Sequence, residues 1–161
     1  MSKILNVYLN SNLVGNLIQD NHGQIFFEYV KEWLEDPKSI PLSYSLPLTS
    51  KRFKLNECRG FFSGILPEDI KREIIARNLG ISARNDFAML EKIGGECAGA
   101  ITFMPHEQAL PIPNYKYRYL SEQELYNILQ ELPTRPLMAG ASDVRLSLAG
   151  VQDKIAVYVQ N

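Results

Sequence analysis

The stretch Ile4-Leu5-Asn6-Val7-Tyr8-Leu9-Asn10-Ser11-Asn12-Leu13-Val14-Gly15-Asn16-Leu17-Ile18, continued by Asn21-His22-Gly23 and Ile25-Phe26-Phe27-Glu28-Tyr29, decides the fold. Short apolar runs alternate with clusters of Asn, Ser and Gly. That spacing predicts strands from Ile4 to Leu9, Leu13 to Ile18 and Ile25 to Tyr29, joined by tight turns into an antiparallel β-meander. Outward from it, Val30 to Leu34 reads as a short helix around Trp33, closed by Asp36-Pro37, with the indole plugging one end of a small sheet. Pro41 and Pro47 bracket Leu42 to Leu46. Proline lacks the N–H a central ladder needs, so this is an edge strand or an extended segment.

Helices follow. One lies near Glu57 to Gly64, and a second runs from Glu68 or Asp69 to Asn78, with Gly80 as its stop signal. A third covers Asp86 to Ile93, placing Phe87, Leu90 and Ile93 on one face before Gly94-Gly95 ends it. Ala98 to Met104 returns as a strand whose small residues permit close packing. Pro105 to Arg118, rich in proline and tyrosine and without periodicity, reads as a linker. Ser121-Glu122-Gln123-Glu124 is a capping box, with Leu120 and Leu125 at the staple positions, and opens a helix to about Leu132. Leu137 to Ser142 is loop. The class is therefore α+β: a small antiparallel, barrel-like meander with several helices over 1–105, a linker over 106–120, and a last unit over 121–161.

Composition narrows the function classes. The chain has 161 residues, enough for one core or two small subdomains. Its 17 basic and 18 acidic residues leave no electrostatic footprint for nucleic acid. The apolar share of 45% is that of a folded soluble protein. No apolar run approaches membrane-spanning length, and Met1-Ser2-Lys3-Ile4 has no signal-peptide core, so a cytoplasmic protein is expected. Cys58 and Cys97 lack the spacing of a zinc site, and Cys97 reads as an inert thiol. His22 and His106 sit in a turn and a loop without local catalytic partners, so both are expected at the surface, and no metal site is implied.

The last motif is Val144-Arg145-Leu146-Ser147-Leu148-Ala149-Gly150-Val151-Gln152-Asp153-Lys154-Ile155-Ala156-Val157-Tyr158. Two alternating apolar runs flank a tip of small residues, which predicts a β-hairpin. Free N–H groups in such a tip favour anions, and Arg145 and Lys154 add positive charge on either side. From spacing alone, a phosphate-binding loop and an ordinary surface hairpin both remain open. The string Arg145 to Lys154 resembles the glycine loop of HipA-type serine/threonine kinases, the toxins of bacterial toxin–antitoxin pairs. Pro41 to Leu48, Phe61 to Glu68 and Ile93 to Ala100 are similar to that family's N-terminal region, in the same order.

The resemblance implies that 121–161 is a helix and hairpin belonging to a kinase N-lobe. It implies that Ser147, Leu148, Ala149, Gly150, Val151, Gln152, Asp153 and Lys154 form the nucleotide-phosphate loop, and that Ser147 matches an autophosphorylation site which switches the kinase off. The family's nucleotide-anchoring lysine lies on a later strand, so that role does not fall to Lys154. Phosphoryl transfer also needs a catalytic aspartate and metal-binding carboxylates. Neither a His-Arg-Asp nor an Asp-Phe-Gly string occurs here; Asp86-Phe87 is followed by Ala88, on an expected helix ahead of the glycine loop. By itself the chain is expected not to catalyse, and to need no cofactor; ATP and magnesium would enter only with a kinase core. The implied partners are a C-terminal HipA-type kinase domain and a helix-turn-helix antitoxin of the HipB kind, with no direct contact to nucleic acid or membrane. The alternative is a separately encoded, antitoxin-like subunit acting on such a kinase in trans.

Overall fold

A computed structural model describes residues 2–96, 100–110, 119–131 and 133. The expected hairpin, Cys97, and 111–118 of the expected linker lie outside the described residues. The three strands of the meander form as read: β1 (Lys3–Leu9), β2 (Asn12–Gln19) and β3 (Ile25–Tyr29). Two more join them, β4 (Phe53–Lys54) and β5 (Ile101–Pro105), in the antiparallel order β4-β3-β2-β1-β5. The helices are α1 (Lys31–Glu35), α2 (Leu55–Gly64), α3 (Asp69–Asn78), α4 (Asp86–Ile93) and α5 (Glu122–Glu131). The architecture is α+β, as the sequence implied. Between Pro41 and Pro47 the chain is neither an edge strand nor an extended segment: it doubles back through a tight turn at Tyr44 and Ser45, with Ser43 and Leu46 facing each other as an isolated bridge and the Leu46 N–H donating to the Ser43 carbonyl at 3.0 Å.

Strand alternation places Leu5, Val7, Leu17, Phe27, Tyr29, Phe53 and Phe103 on the inner face, all buried. They join Cys58 and Phe62 of α2, Ile75 of α3 and Phe87 and Leu90 of α4 in one core. Phe27 is the hub, with ring centroids at 4.9 Å from Tyr29 and 5.3 Å from Phe62. The β1–β2 register shifts after Val7, and the irregularity leaves Val14 fully buried. Gly15 follows because a Cβ there would stand 2.5 Å from the Phe27 ring and from the Glu28 carbonyl oxygen. Gly15→Ala is expected to cost about 1–3 kcal/mol through overpacking. A lowered urea midpoint would register it; an unchanged midpoint would mean the ring can move aside.

Helix ends follow local rules. The Asn85 side chain accepts the Ala88 N–H at 3.0 Å, capping α4. Gly80, at φ +66°, closes α3 in the left-handed conformation that favours glycine. In α5 the expected capping box is present: the Ser121 N–H donates to the Glu124 carboxylate at 2.8 Å, and the Glu124 N–H donates to the Ser121 hydroxyl at 3.3 Å.

Cys58 is fully buried, and burial pushes its thiol up to about 11. Burial likewise raises the Tyr29 phenol. Both groups keep their protons longer in the folded state, so the unfolded chain binds fewer protons once the pH passes the ordinary cysteine value of 9.0. Stability is therefore full below that value and falls as the pH climbs toward 11. Urea midpoints measured across this range should decline, and Cys58→Ala should flatten the decline. A wild-type midpoint constant across the range would refute the buried thiol.

Candidate functional site

All eight residues expected to form the phosphate loop, Ser147 to Lys154, lie outside the described residues. What the described structure offers is three surfaces around the core and one unexpected ionic cluster.

The cluster ties α2, α3 and α4 together. Asp86, at the start of α4, is buried, and its carboxylate accepts from the Arg72 guanidinium of α3. Arg72 also donates through Nε to the Ala83 carbonyl at 2.6 Å, and Arg59 of α2 approaches Asp86 at 3.4 Å. The Arg72 and Asp86 side chains are 16% and 11% exposed, whereas Arg59 is 62% exposed. The Arg72 pair thus works in a low-dielectric setting and Arg59 in a largely solvated one. In the sequence, Asp86 reads as the start of a helix and as part of a string that departs from a kinase motif. The acid in the first turn of a helix was visible, but its partner fourteen positions earlier follows no local spacing rule.

Beside this cluster runs an open groove of about 640 Å³ between α2 and the start of α3, lined by Asn56, Arg59, Ser63, Pro67, Glu68 and Arg72, among others. Its walls carry both signs of charge. Asp86 is engaged by guanidinium groups, so it is not free to act as a base. The groove can hold a polar surface. Glu57, in the first turn of α2, is a helix-start charge. It accepts from Lys51 and from the Lys54 N–H, and these bonds hold its carboxyl below the usual carboxylate range.

The second surface is the 40–48 loop. The Tyr29 hydroxyl donates to the Leu46 carbonyl at 2.6 Å and accepts the Leu42 N–H at 2.9 Å, and the Trp33 indole donates to the Ile40 carbonyl at 3.2 Å. Leu46 is buried beneath, while Ile40, Tyr44 and Leu48 are exposed. Tyr29→Phe is expected to destabilise by about 1–3 kcal/mol, because a buried carbonyl and a half-buried N–H lose their partner. Faster hydrogen exchange at Leu42 and Leu46 would report it; unchanged exchange would show that the loop holds without the hydroxyl.

The third surface is α5, which has no buried residue and leaves Tyr126 and Leu129 exposed. The two histidines lie at the surface as expected. His22 closes its own turn, its backbone N–H donating to the Asp20 carboxylate at 2.9 Å. His106 has a partner that its neighbourhood in sequence did not disclose: its Nδ1 lies 2.9 Å from the Asn6 side-chain oxygen, which also accepts from Asn16 at 2.9 Å. Among the described residues no helix is long and apolar enough to cross a membrane.

A sheet of this order, with helices over one face, matches known proteins. Residues 5–104 match the family model described as the HipA N-terminal domain. The chain belongs to that family. It is 45% identical over 161 residues to Y4mE of Sinorhizobium fredii, a protein whose name assigns it to the kinases, covering 98% of this chain and 38% of that one. It is 30% identical over 155 residues to the serine/threonine-protein kinase toxin HipA of Shewanella oneidensis, covering 96% of this chain and 35% of that one. Among solved structures it matches a chain of the Shewanella oneidensis toxin–antitoxin complex of HipA, HipB and operator DNA. The TM-score there is 0.68 at 29% identity, over 92% of this chain and 34% of that chain. The chain thus spans well under half the length of the relatives it matches.

Proposed function

We propose that this chain is the N-terminal docking and regulatory portion of a HipA-like serine/threonine kinase of a toxin–antitoxin system. The observation that carries the reading is how far the likeness extends. The family model ends at residue 104, yet the match to Y4mE takes in 98% of the chain, hairpin motif included. Residues 1–105 would form the unit that packs on the kinase body, 106–120 the connection, and 121–161 the first helix and hairpin of the kinase core. Ser147 to Lys154 would then cover the nucleotide phosphates, with ATP and magnesium held only when the body supplies the anchoring lysine and the acidic residues. Phosphate on Ser147 would add nearly two negative charges to that loop and set it against the nucleotide. A HipB-like antitoxin is the second partner, by analogy with the solved neighbour. A near-neutral charge suits contact with protein, leaving operator recognition to the antitoxin. A cytoplasmic location goes with this assignment.

The test has two arms. The purified chain with labelled ATP and magnesium is expected to transfer no phosphate; turnover by the lone chain would overturn the reading. Co-expressed with a HipA-type kinase body, the chain is expected to co-purify and to carry phosphate on Ser147 by mass spectrometry. Failure to co-purify would remove the docking role.

A further inference from the structure

We infer that the 40–48 loop is a preformed apolar knob through which this domain docks on the kinase body, with Tyr44 as its anchor. The inference rests on the docking role proposed above and assigns it a surface. Three large apolar side chains stand out from this one loop at a spacing of four residues: Ile40 is 57% exposed, Leu48 is 37% exposed, and Tyr44 is exposed to the full.

Such a loop would ordinarily be mobile, and here it is held. Two core aromatic side chains, Tyr29 and Trp33, reach out to bond its backbone at Ile40, Leu42 and Leu46. Within the tip, the Leu46 N–H donates to the Ser43 carbonyl at 3.0 Å, and the Ser45 N–H donates to the Ser43 hydroxyl at 3.2 Å. Pro41 and Pro47 restrict the backbone on either side. The fold thus uses core hydrogen-bonding groups to fix a segment that presents apolar side chains to water. An exposed tyrosine on a fixed stretch of backbone loses less conformational freedom on binding than one on a mobile loop, and tyrosine is over-represented among residues that dominate interfaces.

This chain corresponds to 38% of Y4mE and 35% of the Shewanella HipA, so nearly two thirds of each relative lies outside the matched part, a body large enough to receive such a knob. Between Ser39 and Leu48 the loop carries no charged side chain. It therefore offers no cationic side chain to phosphates or an acidic peptide, and an apolar recess on a protein is what its exposed side chains fit.

The experiment uses the tagged full chain co-expressed with the part of Y4mE beyond the match. Binding is then measured for wild type, Tyr44→Ser, Ile40→Ser/Tyr44→Ser and Ile70→Ser. Ile70 is a comparison site, an isoleucine 72% exposed on α3. The expected result is retention of the body by wild type and by Ile70→Ser, at least a tenfold rise in Kd for Tyr44→Ser, and a larger rise for the double variant. Circular dichroism spectra should match throughout, since none of these side chains is buried. Wild-type binding that survives the double variant would overturn the knob while leaving the docking role intact. A wild-type chain that does not retain the body would remove the docking role itself. Two alternatives would also overturn the assignment: a concentration-dependent dimer of the lone chain abolished by Tyr44→Ser, or a loss confined to binding of a HipB-like protein.

Discussion

Phe27→Ala is expected to remove about 3–5 kcal/mol of stability, the range for deleting a buried aromatic ring. Phe27 is fully buried, and its ring meets those of Tyr29, Phe53 and Phe62 at 4.9, 6.2 and 5.3 Å. It therefore joins β3 to β4 and the sheet to α2. Total stabilities of about 5–15 kcal/mol are usual, so this one change would take a large share. Urea unfolding followed through Trp33, the single tryptophan, is the measurement. A loss below about 2 kcal/mol would mean that the surrounding rings collapse into the space. The ring also lies across Gly15, so Gly15→Ala should cost much less in the Phe27→Ala background than alone.

Asp86→Ala is expected to cost about 3–5 kcal/mol, the range for removing one partner of a buried ion pair. Arg72 would keep only the Ala83 carbonyl, and its guanidinium would remain largely buried beside a lost countercharge. The expected rescue is Arg72→Met together with Asp86→Ala, since an apolar replacement of both partners restores much of what a single deletion loses. Arg59→Ala should change the midpoint little, because that side chain is mostly solvated. If Asp86→Ala alone leaves the urea midpoint unmoved, the cluster is not what holds α3 to α4. The groove shares Arg59 and Arg72 with this cluster, so its shape would change along with the stability.

Among the described residues the groove carries both signs of charge, α5 leaves Tyr126 and Leu129 exposed, and the 40–48 loop is tied to the core by Tyr29 and Trp33. These are the surfaces that the docking role proposed above would draw on. That fits a domain whose relatives are named as kinases and are more than twice its length.

The sequence by itself determined most of the elements and several of their ends. Strand alternation in Leu5 and Val7, the Asn85 cap, the Gly80 stop and the Ser121–Glu124 capping box each depend on residues within a turn or two of one another. Short-range physics suffices to read them. The family resemblance, too, was legible in ordered local strings. Only the tertiary structure decided which elements meet. β5 lies against β1 across most of the chain, and Phe53–Lys54, too brief to stand out as a strand, pairs with β3. Arg72 finds Asp86, His106 finds Asn6, and the Tyr29 hydroxyl finds Leu42 and Leu46. Those partners are chosen by burial: a polar group carried into the core must be satisfied by whatever the packing brings beside it, and sequence spacing has no say in which group that is.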